Sequence, residues 1–303
     1  MSAAPPLLSA IVTDVDGTLY PFGKAPGVSQ VNVNTLTQAI DAGVHVSLAT
    51  GRMPGPWLDE IRTQLPQLGA CVFVNGSLVL SQNDEVLSEV ALPAAAVRQV
   101  EAYTRGALAR SSRIVVLAAT RWPDAGPQYA SLRYVELSPD GSESWVTRLI
   151  RSAGEPEIVR LPSLAPLIAP GAHPTLKFCL WSDPDETGWC NMASVVEDLR
   201  AALEGTGATV LDCGPRQCEV LPPDTNKGKG VATLLKHLGV PPQETLACGD
   251  AENDCEMLRL VGVGAAMGNA KPSAKAASDV VVATNDEGGV SEAVRRFVFG
   301  ETE

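Results

Sequence analysis

Four short segments carry residue types that could do chemistry together. The first is Asp14-Val15-Asp16-Gly17-Thr18-Leu19. Side chains two apart on an extended segment point the same way, so Asp14 and Asp16 are expected to face one spot. Two carboxylates that close repel each other, and a hard divalent cation such as Mg²⁺ relieves the repulsion. The bland reading, a turn rich in Asp and Gly, stays open for this motif alone. The second segment is Thr50-Gly51-Arg52, where a hydroxyl is followed by an accessible backbone N–H suited to a phosphate oxygen. The third is Asn226-Lys227-Gly228, a cation at the start of a helix, where anions are favoured. The fourth, Gly249-Asp250-Ala251-Glu252-Asn253-Asp254, adds further carboxylates. Singly these are a strand cap, a solvated lysine and an acidic turn. All four in order, each at the edge of a strand or helix, exceed what chance supplies.

The elements around these segments explain how they could converge. Residues 7–13 form an apolar run that stops at Asp14 and reads as a strand buried on both faces. Residues 44–49 form a second strand ahead of Thr50. Residues 70–74 form a third, followed by the turn signal Asn75-Gly76. Residues 245–248 are a strand that ends at Gly249-Asp250. Between them, 29–42 carries Val33, Leu36 and Ile40 at helical spacing, with Gly43 as a C′ residue. Residues 54–65 read as a helix with Pro in its first turn. Residues 228–238 place Val231, Leu234, Leu235 and Leu238 on one helical face. A small hairpin is expected from 78–80 and 85–90, around Asn83-Asp84. The tail continues with a strand within 261–267, a helix at 272–277, a strand at 280–283 and a helix at 289–297. This alternation predicts an α/β fold, a Rossmann-like, doubly wound parallel sheet. Open sheets of that kind bind ligands at the C-terminal edge of their strands, where all four segments fall.

Residues 92–221 differ in texture. They hold Trp122, Trp145, Trp181 and Trp189, four of the five tryptophans, among scattered Pro and Gly. They read as mixed helices (94–108, 191–203) and strands (113–118, 175–181, 209–211). The expected organisation is a catalytic core from 1–91 and 222–303, with an inserted α+β cap domain at 92–221. Prolines punctuate both crossings, at Pro93 and at Pro222-Pro223.

The four segments, DVDGTL, ATGR, NKGKG and GDAEND, resemble the signature of the haloacid dehalogenase superfamily of phosphohydrolases. The long insert, VNGS just before it and MGNA at 267–270 resemble the Cof-type subfamily with a large α/β cap. The resemblance implies that Asp14 is a nucleophile forming an aspartyl-phosphate. It implies that Asp16 protonates the leaving alkoxide and then deprotonates the hydrolytic water. An Asp at that position, not Thr or Ala, favours a phosphohydrolase over a P-type ATPase or a dehalogenase. Mg²⁺ would be held by Asp14, the Asp16 backbone carbonyl and Asp250. Thr50 and the Gly51 N–H would hold phosphoryl oxygens, and Lys227 would neutralise phosphate and nucleophile. Asn253 and Asp254 would orient Lys227 or metal-bound waters. Arg52 and Asn75 are implied to touch the substrate or the cap edge, against the plainer reading of a surface ion pair and a turn residue.

The implied function is a Mg²⁺-dependent phosphatase of small phosphorylated metabolites, with sugar phosphates expected; no motif names one ester or an oligomeric state. A phosphomutase of the same superfamily and a catalytically silent binding or regulatory protein are the alternatives. The full set Asp14, Asp16, Asp250, Asp254 and Lys227 counts against the silent protein, which has no chemical need for all five.

Composition fits this reading. The chain has 303 residues, 45% apolar and 19% charged, an ordinary globular balance. A formal charge of −12 argues against nucleic acid or an anionic membrane as partner. No apolar run reaches the ~18 residues of a bilayer span. The first ten residues lack a basic residue ahead of their apolar stretch and read as the start of a strand, not a secretion signal. The seven cysteines are odd in number and irregular in spacing, so they are expected to be free thiols in a reducing cytoplasm. Cys213 and Cys218 could meet across a turn but lack a second Cys/His pair for zinc. His45, His173 and His237 read as structural, and the acidic stretch 183–186 as solvated loop.

Overall fold

The computed structural model describes residues 7–20, 27–109, 114–122, 131–169, 171–183 and 190–301. The first six residues, most of the acidic stretch 183–186, Trp189 and the start of the expected strand at 113 lie outside them. The chain divides into two compact units. One is Met1–Arg52, Trp57–Ser88 and Asn226–Glu303; the other is Met53–Pro56 and Glu89–Thr225.

The first unit is built on a parallel sheet. In chain order its strands are β1 (Ala10–Thr13), β2 (His45–Leu48), β12 (Thr245–Gly249), β13 (Val263–Ala266) and β14 (Val280–Val281). They lie side by side as β14-β13-β12-β1-β2, every pair parallel. The interior strand β1 is AIVT, buried at every position, which suits a strand covered on both faces. It starts later than the apolar run implies, because Leu7 is 67% exposed. In register, Thr13 stands beside both Cys248 and Leu48. The residues that follow β1, β2 and β12 therefore leave the sheet at one edge.

Helices flank the sheet. α1 (Gln30–Asp41) is capped by Ser29, whose side chain accepts from the Asn32 N–H. It packs with α9 (Gly289–Phe297), and Ser291 bonds both Thr35 and Asn32 across that contact. α6 (Lys227–Leu238) packs with α7 (Cys255–Leu260), and α7 with α8 (Pro272–Ala277). α2 spans Pro56–Gln64.

The expected third strand does not join this ladder. β3 (Cys71–Phe73) pairs antiparallel with β4 (Leu78–Leu80) in a small sheet completed by β5 (Val86–Glu89). One bridge, Ala49 to Val72, ties it to the end of β2. The physical reason is the turn after β3. Val74 and Asn75 both take left-handed conformations (φ 53° and 54°), and Gly76 follows at φ 95°, so the chain doubles back at once into β4.

The second unit holds a six-stranded sheet of β6 (Ile114–Arg121), β7 (Leu132–Leu137), β8 (Ile158–Leu161), β9 (Thr175–Ser182), β10 (Thr209–Asp212) and β11 (Gln217–Leu221). Their order is β10-β11-β9-β6-β7-β8, antiparallel except for β7 with β8. Val116, Ala118, Phe178, Leu180 and Val220 form a core with α3 (Ala94–Ala109) and α5 (Met192–Ala202). β7, β8, β11 and α4 (Trp145–Ser152) are additions to the elements expected from sequence. Two of them hide charge. Glu136 of β7 is buried and accepts from Thr147 Oγ1 at 2.7 Å. Glu219 of β11 is buried against Lys177 Nζ at 2.6 Å.

All seven cysteines are free thiols. Among the described residues, no helix is long and apolar enough to cross a membrane.

Candidate active site

The site gathers at the sheet edge, within the first unit. Asp14 follows β1 directly, and its N–H donates to the Cys248 carbonyl at 2.9 Å, extending the ladder by one residue. Its carboxylate is buried. Lys227, the first residue of α6, is 1% exposed and donates from Nζ to Asp14 Oδ1 and to Asp254 Oδ1, both at 2.6 Å. Asn226 caps that helix by accepting from the Lys229 N–H, which fixes where the lysine leaves the backbone.

Asp254 is the most constrained of the acids. Its Oδ2 accepts from the Asp250 and Ala251 N–H groups, both at 2.9 Å, while Oδ1 takes the lysine. Gly249 makes room for it, since a Cβ there would lie 2.6 Å from Asp254 Cβ. Asp250 is buried and accepts from Thr18 Oγ1 at 3.0 Å. One oxygen each from Asp14, Asp250 and Asp254 lies within 4.8 Å of the others.

The electrostatics follow from this crowding. Burial pushes the Asp14 carboxyl well above its ordinary range, Lys227 opposes that, and the neighbouring acids reinforce it. Burial, then Asp254, pushes Asp250 up to about 6. Burial alone would lower the Lys227 pKa, but Asp14 and Asp254 more than offset it, so the net shift is upward. The site thus sets one ammonium among three carboxyls, a formal excess of two negative charges when all three are ionised.

Asp16 departs from expectation. The strand ends at Thr13, and the chain then turns, with the Val15 carbonyl accepting from the N–H groups of Leu19 and Tyr20 at 3.0 and 2.7 Å. Strand alternation no longer applies, and the Asp16 carboxylate is not among the three that gather. Its side chain is 46% exposed and paired with Arg52. Arg52 donates Nε–H to Asp16 Oδ2 at 2.7 Å and Nη2–H to Oδ1 at 2.6 Å.

The Thr50 loop is held by the small sheet. The Thr50 N–H donates to the Val72 carbonyl at 2.9 Å, and the Thr50 carbonyl accepts from the Asn75 N–H at 3.0 Å. Thr50 Oγ1 accepts from the Arg52 N–H at 3.1 Å, which leaves its own hydrogen to donate. Asn75 Oδ1 accepts from Asn253 Nδ2 at 2.9 Å. A Cβ on Gly51 would sit 3.2 Å from that Asn75 oxygen, so Gly51, Asn75 and Asn253 form one patch.

Three supporting residues had no role in the sequence reading. Thr18 holds Asp250. Asn269 donates to the Gly17 carbonyl at 2.8 Å and accepts from the Asn285 N–H at 2.9 Å, and Asn285 Nδ2 donates to the Tyr20 carbonyl at 3.1 Å. These bonds brace the loop that carries Asp16. The only signals were motif letters, Thr18 in DVDGTL and Asn269 in MGNA.

A sequence model of one family, described as haloacid dehalogenase-like hydrolase, matches residues 11–112 and 174–294. HMP-PP phosphatase of Cronobacter sakazakii is 30% identical over 264 residues, covering 86% of this chain and 84% of that protein. The chloroplastic endoribonuclease YBEY of Arabidopsis thaliana is 29% identical over 302 residues, covering 97% of this chain and 47% of its own length. The chain therefore spans about half the length of that relative. Among solved structures, the subclass IIB sugar phosphatase BT4131 superposes with a TM-score of 0.75 at 20% identity, over 95% of this chain and 98% of that one. That likeness shows a shared fold.

Proposed function

This chain belongs to the haloacid dehalogenase-like hydrolase family, and on that premise we propose that it is a Mg²⁺-dependent phosphatase of small phosphorylated metabolites, sugar phosphates among them. One observation carries the reading: a buried carboxylate at the end of the interior strand β1, Asp14, bonded at 2.6 Å to a buried ammonium, Lys227. A carboxylate there can attack an anionic phosphate only if a cation offsets the repulsion, and Lys227 supplies it.

In the first step an Asp14 oxygen attacks phosphorus, the bond from phosphorus to the ester oxygen breaks, and Asp16 gives that oxygen a proton. In the second, water attacks phosphorus and passes a proton to Asp16. The bond to Asp14 then breaks, and inorganic phosphate leaves. The Thr50 hydroxyl and the Gly51 N–H hold phosphoryl oxygens, with Arg52, Asn75 and Asn253 beside them. Asp254 keeps Lys227 aimed at the nucleophile.

The donor set suits a hard divalent cation, because its oxygens are carboxylates and their excess negative charge is two. Asp14 and Asp250, with the Asp16 backbone carbonyl, would hold Mg²⁺, and Asp254 is the acid least able to join them because both of its oxygens are already engaged. Bound there, the ion supplies Lewis-acid stabilisation of phosphoryl charge.

The core residues can touch only the phosphoryl group that all esters share. We assign discrimination among leaving groups to the insert at 92–221.

The experiment is hydrolysis of p-nitrophenyl phosphate with and without Mg²⁺, followed by a panel of sugar phosphates, nucleotides and phosphorylated cofactors. Metal-dependent release of phosphate is expected. A well-folded protein that releases none from any ester overturns the proposal.

A further inference from the structure

Arg52 grips Asp16 at two points. Both carboxylate oxygens accept from it, Oδ2 from Nε and Oδ1 from Nη2, which fixes the carboxylate plane as well as its place. The guanidinium also lies over two rings, with its carbon 5.7 Å from the Tyr20 centroid and 5.3 Å from the Trp57 centroid. Both rings are buried. Trp57 is 1% exposed and packs edge-on to Phe73 at 6.3 Å. Tyr20 is 4% exposed, and its carbonyl accepts from Gly17 N and Asn285 Nδ2. The Arg52 backbone is tied on both sides, its N–H donating to Thr50 Oγ1 and its carbonyl accepting from the Val74 N–H at 3.0 Å.

An ion pair with a half-exposed acid contributes only about 0–1 kcal/mol to stability. So much scaffolding around one weak pair makes sense if orientation, not stability, is what it provides. A half-exposed Asp on a turn otherwise samples several rotamers.

We propose that Arg52 is a positioning residue for Asp16, holding its carboxylate in the orientation that proton transfer requires. This rests on the phosphatase reading above. In the first step Asp16 passes a proton to the leaving oxygen as the bond to phosphorus breaks. In the second it takes a proton from water as the oxygen–phosphorus bond forms and the Asp14–phosphorus bond breaks. Esters differ in how much they need the first transfer. p-Nitrophenolate leaves without a proton; an alkoxide does not. Every ester needs the second.

The test is rapid-mixing kinetics of wild type, Arg52→Gln and Arg52→Lys with p-nitrophenyl phosphate and with an alkyl phosphate. With p-nitrophenyl phosphate, Arg52→Gln should show a larger burst than wild type, up to one p-nitrophenolate per active site, before a steady state ~10- to 100-fold slower. With the alkyl phosphate the same variant should show no burst and a still larger loss. Arg52→Lys keeps the charge and loses the fork, so it should behave like Arg52→Gln; it also serves if the Gln variant fails to fold. An equal slowing of both esters without a burst, or a rise in KM alone, overturns the proposal and makes Arg52 a phosphate contact or a structural residue. Wild type that cleaves neither ester defeats the phosphatase reading instead, so the two failures are distinguishable.

Discussion

Lys227 Nζ lies 2.6 Å from Asp14 Oδ1, although 213 residues separate the two in the chain. The contact joins the end of β1 to the first turn of α6, and Asp254 closes it from a third segment.

Asp14→Asn should abolish turnover. An amide is a far poorer nucleophile, and the change removes one negative charge from the acid cluster. A loss of at least ~10³-fold in kcat/KM is expected, about 4 kcal/mol of barrier. Activity within tenfold of wild type would sink the assignment of the nucleophile.

Activity should vanish in EDTA and return with Mg²⁺, with Ca²⁺ acting as an inhibitor. Ca²⁺ takes more oxygen ligands at longer distances, which disturbs a carboxylate that must also attack. Full turnover after exhaustive dialysis against EDTA would show that Asp14 and Asp250 hold no catalytic metal.

Asp250 offers a pH test of the metal-free protein. Its folded pKa of about 6 lies above the unfolded value of 3.8, so the folded state holds the proton more tightly. The group therefore destabilises the fold above pH ~6, and the penalty fades as pH falls toward 4. In EDTA, Asp250→Asn should be more stable than wild type at pH 7 and should lose most of that advantage only by pH 4. Urea unfolding of both proteins at several pH values measures it; a difference that is flat with pH contradicts the linkage.

In the second unit, Lys177→Met should cost about 3–5 kcal/mol in urea unfolding, because it strands the buried Glu219. Adding Glu219→Leu should recover most of the loss. A single variant within ~1 kcal/mol of wild type would mean the pair is solvated.

Exchanging residues 92–221 for the insert of a related phosphatase should change the order in which esters are preferred, while inorganic phosphate still binds to the core residues. A folded chimera that keeps the original ranking would place specificity in the core.

The parallel sheet was legible because its strands are short apolar runs that stop at chemistry. AIVT ends at Asp14, and the run from Thr245 ends at Gly249-Asp250. Asn75 and Asn253 were legible as candidates but not as partners, since their bond depends on a left-handed turn that one sequence does not announce. The pairing of Asp16 with Arg52 was not legible, because period-two alternation stops at Thr13 and the chain enters a turn organised by the Val15 carbonyl. β7 and β11 escaped because Glu136 and Glu219 interrupt their apolar pattern; each is buried against a partner on another element, Glu136 against Thr147 and Glu219 against Lys177, 42 residues away. Side-chain pairing at long range leaves no local mark, whereas strand burial does.

The position of β1 between β2 and β12 also dictates an order of assembly. Its register partners are His45 on one side and Thr245 on the other. During synthesis β1, which leads into Asp14, can pair early along one edge, but its second edge stays open until more than two hundred further residues have emerged. The run 89–225, nearly a whole unit of contiguous sequence, is complete before then. Such a chain closes its most distant contacts last, and an open apolar strand edge is a known hazard in the interval. A fragment ending before Thr245 would display β1 with that edge bare, so its expected fate is aggregation or chaperone capture.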